Sequence, residues 1–384
     1  MRSKLSIYNY EKILYLTLIP IFAFRVFYSL TRNIFSSGPD APFYEVAPVE
    51  LAKFGFLSNQ IKGVPYYPLG YPMLLSPFAK LNQTHWIYFA QIFQVILSIL
   101  TVYFTFTLVR KFGNEVVAFI AALLMLFYPS FSAMSGQAMY EPVLMFFFYS
   151  YLSLVFQRSQ LGENFLKIVL IGTLGGIAIV VHPRVIPWVL IIQVILFKRI
   201  GIRNTFIILG SCIPIPLLIM LRNLFVNEKF TLMSSKIVDP YGVSTNIQDK
   251  VINGFTNIYY FWTPLSGDAR HTTWYHNFTL FHELKKITGS TSTVVYTSSV
   301  ILLLSVTAWL FGCYLWSKEK PEFAMVLLLI PVLAMFTDFI AAGDSRHRLV
   351  VMPLIFIAQA RTIVKILHLE SQIPQFRLEN KRNI

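Results

Sequence analysis

Charge is what this 384-residue sequence has least of: Asp, Glu, Lys and Arg together make up 13% of it, about half the usual share of roughly 25%. A chain so poor in charge, and 55% hydrophobic, is neither a disordered segment nor a coiled coil, because both need an extensive charged, solvated surface. Cysteine is nearly absent as well. Cys212 and Cys313 both lie inside apolar runs and read as small buried hydrophobes, which excludes a secreted disulfide scaffold. No P-loop, GxGxxG, HExxH or paired-cysteine motif occurs, so the chain encodes no recognisable nucleotide cradle or metal site. There is no internal repeat at about 20 to 50 residues and no symmetry between the two halves, which argues against the paired broken helices of a secondary transporter.

What the sequence does contain is long apolar runs. A bilayer core of about 30 Å takes about 20 helical residues to cross. Ten runs approach that length, near residues 13–31, 86–109, 116–131, 141–156, 166–181, 185–197, 205–221, 295–316, 323–341 and 349–366. They predict an all-α polytopic membrane protein with about ten transmembrane helices, a single integral membrane domain over residues 1–384. The first run lacks a following small-residue cleavage site and carries Arg25, so it reads as a retained signal-anchor. The runs 166–181 and 185–197, separated by His182-Pro183-Arg184, are read as a hairpin rather than one broken helix, because a hairpin keeps the short basic loops on one side.

The net charge of +14 would suggest nucleic acid in a soluble protein. Placed on the spans with a cytoplasmic N-terminus, it divides into an excess of ten cations inside and three outside, with Arg25 in the membrane. Most of the excess therefore encodes orientation: a multi-pass plasma-membrane protein with both termini, including a short tail at 367–384, in the cytoplasm and no nucleic-acid partner.

Two segments are too long to be turns and form outer-face loops, 32–85 and 222–294. In the first, residues 45–56 (EVAPVELAKFGF) space their apolar side chains for a short interfacial helix, and the stretch 64–72 (VPYYPLGYP) predicts a rigid, aromatic-lined turn. Such a surface suits a site that handles an amphipathic molecule at the membrane boundary.

The chemistry-bearing residues collect on that face. Asp40, between Pro39 and Pro42, is either a turn aspartate bonded to its own backbone or a general base for an acceptor hydroxyl. Glu141, followed by Pro142 at the start of a span, is either a favourable charge at a helix N-terminus or a second carboxylate of the site. Arg184 is either a snorkelling interfacial cation or a fork for phosphate oxygens. The segment GDSRHR puts Arg346, His347 and Arg348 outside, against the positive-inside rule; a lipid-carrier phosphate or the nearby Asp344 and Asp338 would compensate them. His271, His276 and His282 have no metal-ligand spacing and read as ordinary surface or core residues.

In this order, GPDAPFY, YYPLGYPMLL, AMYEPVLMFFFY, HPRVIPW, LRNLF with MSSK and YG after it, and RHRLVVMPLI resemble the GT-C superfamily of membrane glycosyltransferases. The likeness is to the bacterial branch similar to dolichyl-phosphate-mannose protein mannosyltransferases and lipid A aminoarabinose transferases. It implies a GT-C-like fold and, as in glycosyltransferase family 39, inverting transfer of a hexose or pentose from a polyprenyl-phosphate donor. The acceptor would be a lipid, glycan or protein on the periplasmic or extracellular face. The resemblance gives Asp40 the role of base or acceptor-positioning acid, and gives Arg346, Arg348 and His347, with Arg184, the donor phosphate. Tyr44, Glu45, Tyr67, His182 and Arg222 are the candidate substrate contacts. Ala41 follows Asp40 where many relatives carry a glutamate, so a second acid would come from Glu45 or Glu141. The acidic pair that holds a divalent ion in oligosaccharyltransferases is not evident, and neither metal nor cofactor is expected. The other classes open at this point are a lipid-linked sugar flippase and a glycan polymerase or ligase taking a pyrophosphate-linked donor. Ionisable groups within the runs are few apart from Arg25 and Asp338, which favours a surface site over a transport path.

Overall fold

A computed structural model of the chain describes residues 2–32, 35, 41–57, 67–112, 115–156, 164–232, 291–340 and 349–369. Regular structure among the described residues is helical throughout. The order is α1 (Arg2–Arg32), α2 (Ala41–Phe54), α3 (Gly70–Leu81), α4 (Trp86–Arg110), α5 (Glu115–Leu126), α6 (Pro129–Met134), α7 (Glu141–Phe156) and α8 (Phe165–Val181). A 3-10 turn (Pro183–Val185) leads into α9 (Ile186–Ile200), followed by α10 (Ile202–Cys212), α11 (Pro214–Asn227), α12 (Thr291–Glu319), α13 (Pro321–Ile340) and α14 (Met352–Ile366). Stretches long and apolar enough to cross a membrane are Tyr10–Thr31, Trp86–Arg110, Ile202–Asn227 and Ser299–Glu319, and shorter apolar helices pack among them. The chain is the all-helical polytopic membrane protein its composition implies.

Proline explains where the helices depart from the apolar runs. The run 116–131 does not continue as one helix: α5 stops at Leu126, and Pro129 opens α6, because proline has no N–H to give and its ring blocks the preceding turn. The run 205–221 is interrupted at Ile213, where Pro214 starts α11. In the stretch 32–85, α2 begins at Ala41 rather than near Glu45, and α3 starts at Gly70, within the last three residues of the stretch 64–72 expected to turn.

The helix directions confirm the hairpin between α8 and α9. A Cβ added at Gly172 would lie 2.3 Å from the Ile208 carbonyl oxygen, and one at Gly176 would lie 2.6 Å from that of Cys212. Both partners advance by the same number of residues, so α8 and α10 run parallel and α9 returns between them. Glycine lets the two backbones approach this closely, the usual means of tight helix packing in lipid. In the same way α12 and α14 run parallel: Gln359 Nε2 donates to the Ser305 carbonyl at 3.0 Å, and Thr362 Oγ1 to that of Ala308 at 2.6 Å.

Ion pairs gather at one end of the bundle. Arg110 pairs with Glu11, Arg361 with Glu319, and Arg199 with Glu322 at 3.8 Å. Each pair joins helix ends that the sequence assigns to a common side. Beside them Phe112 stacks on Phe323 at 4.3 Å, and Trp316 and Phe156 meet Phe323 edge-on.

The core side of α4 is polar. Gln91, Gln94, Ser98, Thr101 and Thr105, spaced by threes and fours, are all buried. That spacing puts them in one stripe facing the bundle, flanked by buried apolar residues such as Val95, Val102 and Phe106, so the polar groups must find partners inside the protein.

Candidate active site at one end of the bundle

Opposite the ion-paired end, the pair α2 and α3 lies against the tip of α8. Gly70 positions it: a Cβ there would meet the Val180 carbonyl oxygen at 2.3 Å, so α3 can rest on the end of α8 only because the side chain is missing. The small buried face of α2, Ala41, Tyr44, Ala47, Pro48 and Leu51, turns toward the same region.

An aromatic cluster forms where these elements meet. Tyr44 meets Tyr71 at right angles with ring centroids 4.8 Å apart, and also packs on Tyr67 at 5.8 Å and Tyr140 at 6.4 Å. Phe43 stacks on Tyr67 at 4.6 Å, and Tyr140 stacks on His182 at 4.6 Å. Tyr140 directly precedes Glu141, the first residue of α7, whose side chain is only 1% exposed. Residues from α2, α3, α7 and the α8–α9 joint are thus gathered around one carboxyl group. Burial, and then the negative charge of Glu141, push the Tyr71 phenol well above its ordinary value, so Tyr71 serves as a hydrogen-bond donor. Its hydroxyl donates to Gln94 Oε1 at 2.8 Å.

The structure brings Tyr44, Tyr67, Glu141 and His182 together. Glu45 is on α2 beside Tyr44, with Oε1 buried and lacking a hydrogen-bond partner among the described residues. Arg184 follows in the 3-10 turn; its backbone N–H donates to His182 Nδ1 at 3.2 Å, and its Nε is likewise buried without a partner among the described residues. Arg222 is engaged structurally: it is 2% exposed, with Nε donating to the Phe56 carbonyl at 3.0 Å and Nη1 to Asn223 Oδ1 at 3.0 Å, tying the end of α2 to α11. Asp40, Arg346, His347 and Arg348 lie outside the described residues, as do His271, His276 and His282 and the tail from residue 370. The chain resumes at Leu349, and the Val350 carbonyl accepts from the Tyr149 hydroxyl of α7 at 2.9 Å.

Sequence reasoning passed over Tyr71, Tyr140 and Gln94. The polar stripe on α4 was a readable signal for Gln94, since a glutamine repeated at helical spacing inside an apolar span demands a buried partner. Tyr71 and Tyr140 carried no such signal beyond adjacency to Gly70 and Glu141.

Residues 69–182, less than a third of the chain, match the family model described as dolichyl-phosphate-mannose-protein mannosyltransferase. That stretch runs from α3 to the α8–α9 joint and includes most of the cluster. Among solved structures, the chain resembles the oligosaccharyltransferase of Archaeoglobus fulgidus tethered to an acceptor peptide, with 13% identity, 92% of this chain and 50% of that chain covered, and a TM-score of 0.50. The chain has the GT-C fold. A second structure of that archaeal oligosaccharyltransferase, AglB in complex with an inhibitory peptide and a dolichol-phosphate, covers 93% of this chain and 51% of that one at 13% identity and a TM-score of 0.48. The chain spans about half the length of these GT-C structures. The comparison with curated proteins gives no significant match.

Proposed function

We propose that this GT-C chain transfers a sugar from a polyprenyl-phosphate-linked donor to an acceptor hydroxyl on the outer face of the plasma membrane. The observation that carries the reading is Glu141, a carboxyl group buried at a helix N-terminus beside Tyr71 and next in sequence to Tyr140, which joins it to the cluster of Tyr44 and His182 at the bundle end opposite the ion pairs. The match of residues 69–182 to a family described by its dolichyl-phosphate-mannose donor supports the choice of carrier. Aromatic faces beside a carboxylate suit the apolar faces and hydroxyl edges of a sugar.

In this reading Asp40 takes the proton of the acceptor hydroxyl as its oxygen attacks the anomeric carbon. The bond from that carbon to the phosphate oxygen breaks, and the electron pair leaves with the carrier phosphate. Arg346, Arg348 and His347, with Arg184, stabilise the charge that develops there. Glu141 holds the sugar or the acceptor through its oxygens.

The test is release of polyprenyl phosphate by the purified, reconstituted full chain supplied in turn with polyprenyl-phosphate sugars of different identity. Asp40→Asn should fold normally and lose about a hundredfold or more in turnover. Glu141→Gln, which keeps shape but not charge, should lose about tenfold or more. Wild-type turnover by Asp40→Asn removes Asp40 from the site. Carrier release with none of the donors, accompanied by movement of an intact lipid-linked sugar across vesicles, would replace the transferase with a flippase.

A further inference from the structure

Between α6 and α7, residues 135–140 cross the buried interior without forming a helix, and all six are buried. Non-helical backbone inside a membrane protein has no water to bond to, so its polar groups must find protein partners. The Ala138 N–H donates to the Phe35 carbonyl at 2.9 Å. Two bonds are local, from the Gln137 N–H to the Met134 carbonyl at 3.2 Å and from the Met139 N–H to the Gln137 carbonyl at 2.8 Å, and the polar stripe of α4 supplies side-chain donors. Gln91 Nε2 donates to the carbonyls of Ser29 at 3.1 Å and Gly136 at 3.2 Å. Gln94 Nε2 donates to the Gln137 carbonyl at 2.9 Å, while its Oε1 accepts from Tyr71. Gln94 is 0% exposed and uses both ends of its amide, one toward the segment that leads into Glu141 and the other toward α3.

We propose that Gln94 is a positioning residue that fixes the spacing between α3 and the segment presenting Glu141. The proposal rests on the reading of Glu141 as part of a sugar-transfer site. A neutral carboxamide offers a donor and an acceptor in fixed opposition at this depth. Glutamate keeps an acceptor for Tyr71 and, held neutral by burial, can offer its O–H to the Gln137 carbonyl, whereas methionine matches the length but offers neither. The two hydrogen bonds act as one link, so losing either loosens the segment around Gln137, while the bonds to Phe35 and Gln91 still hold its neighbours.

The full chain in lipid nanodiscs is the material for the test, with Gln94→Glu, Gln94→Met, Tyr71→Phe and the double variant Gln94→Met/Tyr71→Phe. Gln193→Met is the control, since Gln193 donates to the Tyr151 hydroxyl at 2.6 Å within the bundle and touches neither segment. Amide hydrogen exchange over residues 135–140 should accelerate about tenfold or more in Gln94→Met, and not in Gln94→Glu or Gln193→Met. Turnover of Gln94→Met should fall about tenfold with donor KM held within about twofold, the split expected when reacting groups are misplaced but binding survives. The double variant should be no worse than Gln94→Met alone. Unchanged exchange in Gln94→Met, or effects of Tyr71 and Gln94 that simply add, overturns the proposal. Exchange needs no substrate, so it decides the positioning even if no donor is turned over, an outcome that would count against the transferase reading alone.

Discussion

At the scale of single residues, a buried polar group in this chain makes sense only with its partner in view. Arg25 stood out in the sequence as a cation within a span. In the structure Nη2 donates to the Leu126 carbonyl at 2.7 Å and to Ser132 Oγ at 2.8 Å, Nη1 donates to Ser98 Oγ at 3.2 Å, and the guanidinium sits 5.1 Å from the Phe131 ring centre. Leu126 is the last residue of α5, so its carbonyl faces a missing turn that Pro129 prevents from forming. The arginine thus caps a helix C-terminus, where the dipole favours a cation. Arg25→Met should cost about 2 kcal/mol, through lost charge-assisted bonds and a Leu126 carbonyl left with only the long Ser132 hydroxyl contact at 3.5 Å. Arg25→Lys should recover only part, because an ammonium lacks the planar fork that spans three acceptors. Thermal unfolding in detergent tests both, and a wild-type midpoint for Arg25→Met would refute the capping role. The charge was legible in the sequence because its depth is costly. Its partners were not, because they come from a helix break about a hundred residues away.

At the scale of elements, prolines set the irregularities and other side chains repair them. Pro331 lies inside α13, where its missing N–H would have served the Leu327 carbonyl. Trp309 of α12 supplies the donor instead, with Nε1 3.0 Å from that oxygen. Pro77 inside α3 is handled locally: the Ser76 hydroxyl donates at 2.9 Å to the Met73 carbonyl that Pro77 leaves open. This explains why α3 was not foreseen. Pro65, Pro68 and Pro72 in the stretch 64–72 read as a turn, and the seat of Gly70 on α8, with the rescue by Ser76 further on, lets a helix start within it. The hairpin at His182-Pro183-Arg184, by contrast, was legible from charge alone, and the parallel packing of α8 and α10 bears it out. The Trp309 pairing predicts a non-additive pair. Trp309→Phe should cost about 1 to 2 kcal/mol, as expected for orphaning a buried carbonyl. In a Pro331→Ala background the cost should shrink by more than half, because the substituted position regains a backbone N–H that can serve the Leu327 carbonyl through the helix itself. Equal costs in the two backgrounds, measured by chemical or thermal unfolding, would show that packing rather than the hydrogen bond accounts for Trp309.

At the scale of the whole molecule, the two ends of the bundle are built for different purposes, and the charges read from the sequence divide between them accordingly. At one end Arg110, Arg199 and Arg361 are paired with acids and lie against aromatic rings, Phe106 at 5.3 Å, Phe156 at 6.0 Å and Trp316 at 6.0 Å. Phe112, Phe156, Trp316 and Phe323 fill the space between them. A carrier path would need polar groups through this end, yet the polar stripe of α4 stops at Thr105, a turn short of Val109 and the paired Arg110. A closed basic end and an aromatic, acid-bearing end fit an enzyme that works from one face, provided the basic end is the cytoplasmic one. Thiol labelling in intact cells decides that orientation. Cys212 and Cys313 are buried, so the native chain should give little background with a membrane-impermeant maleimide. Gln83→Cys, on the exposed link between α3 and α4, should label without permeabilisation, whereas Lys198→Cys, exposed at the end of α9, should label only after it. The reverse pattern would put Glu141 in the cytoplasm. The positive-inside reading would then fail together with the outer-face site.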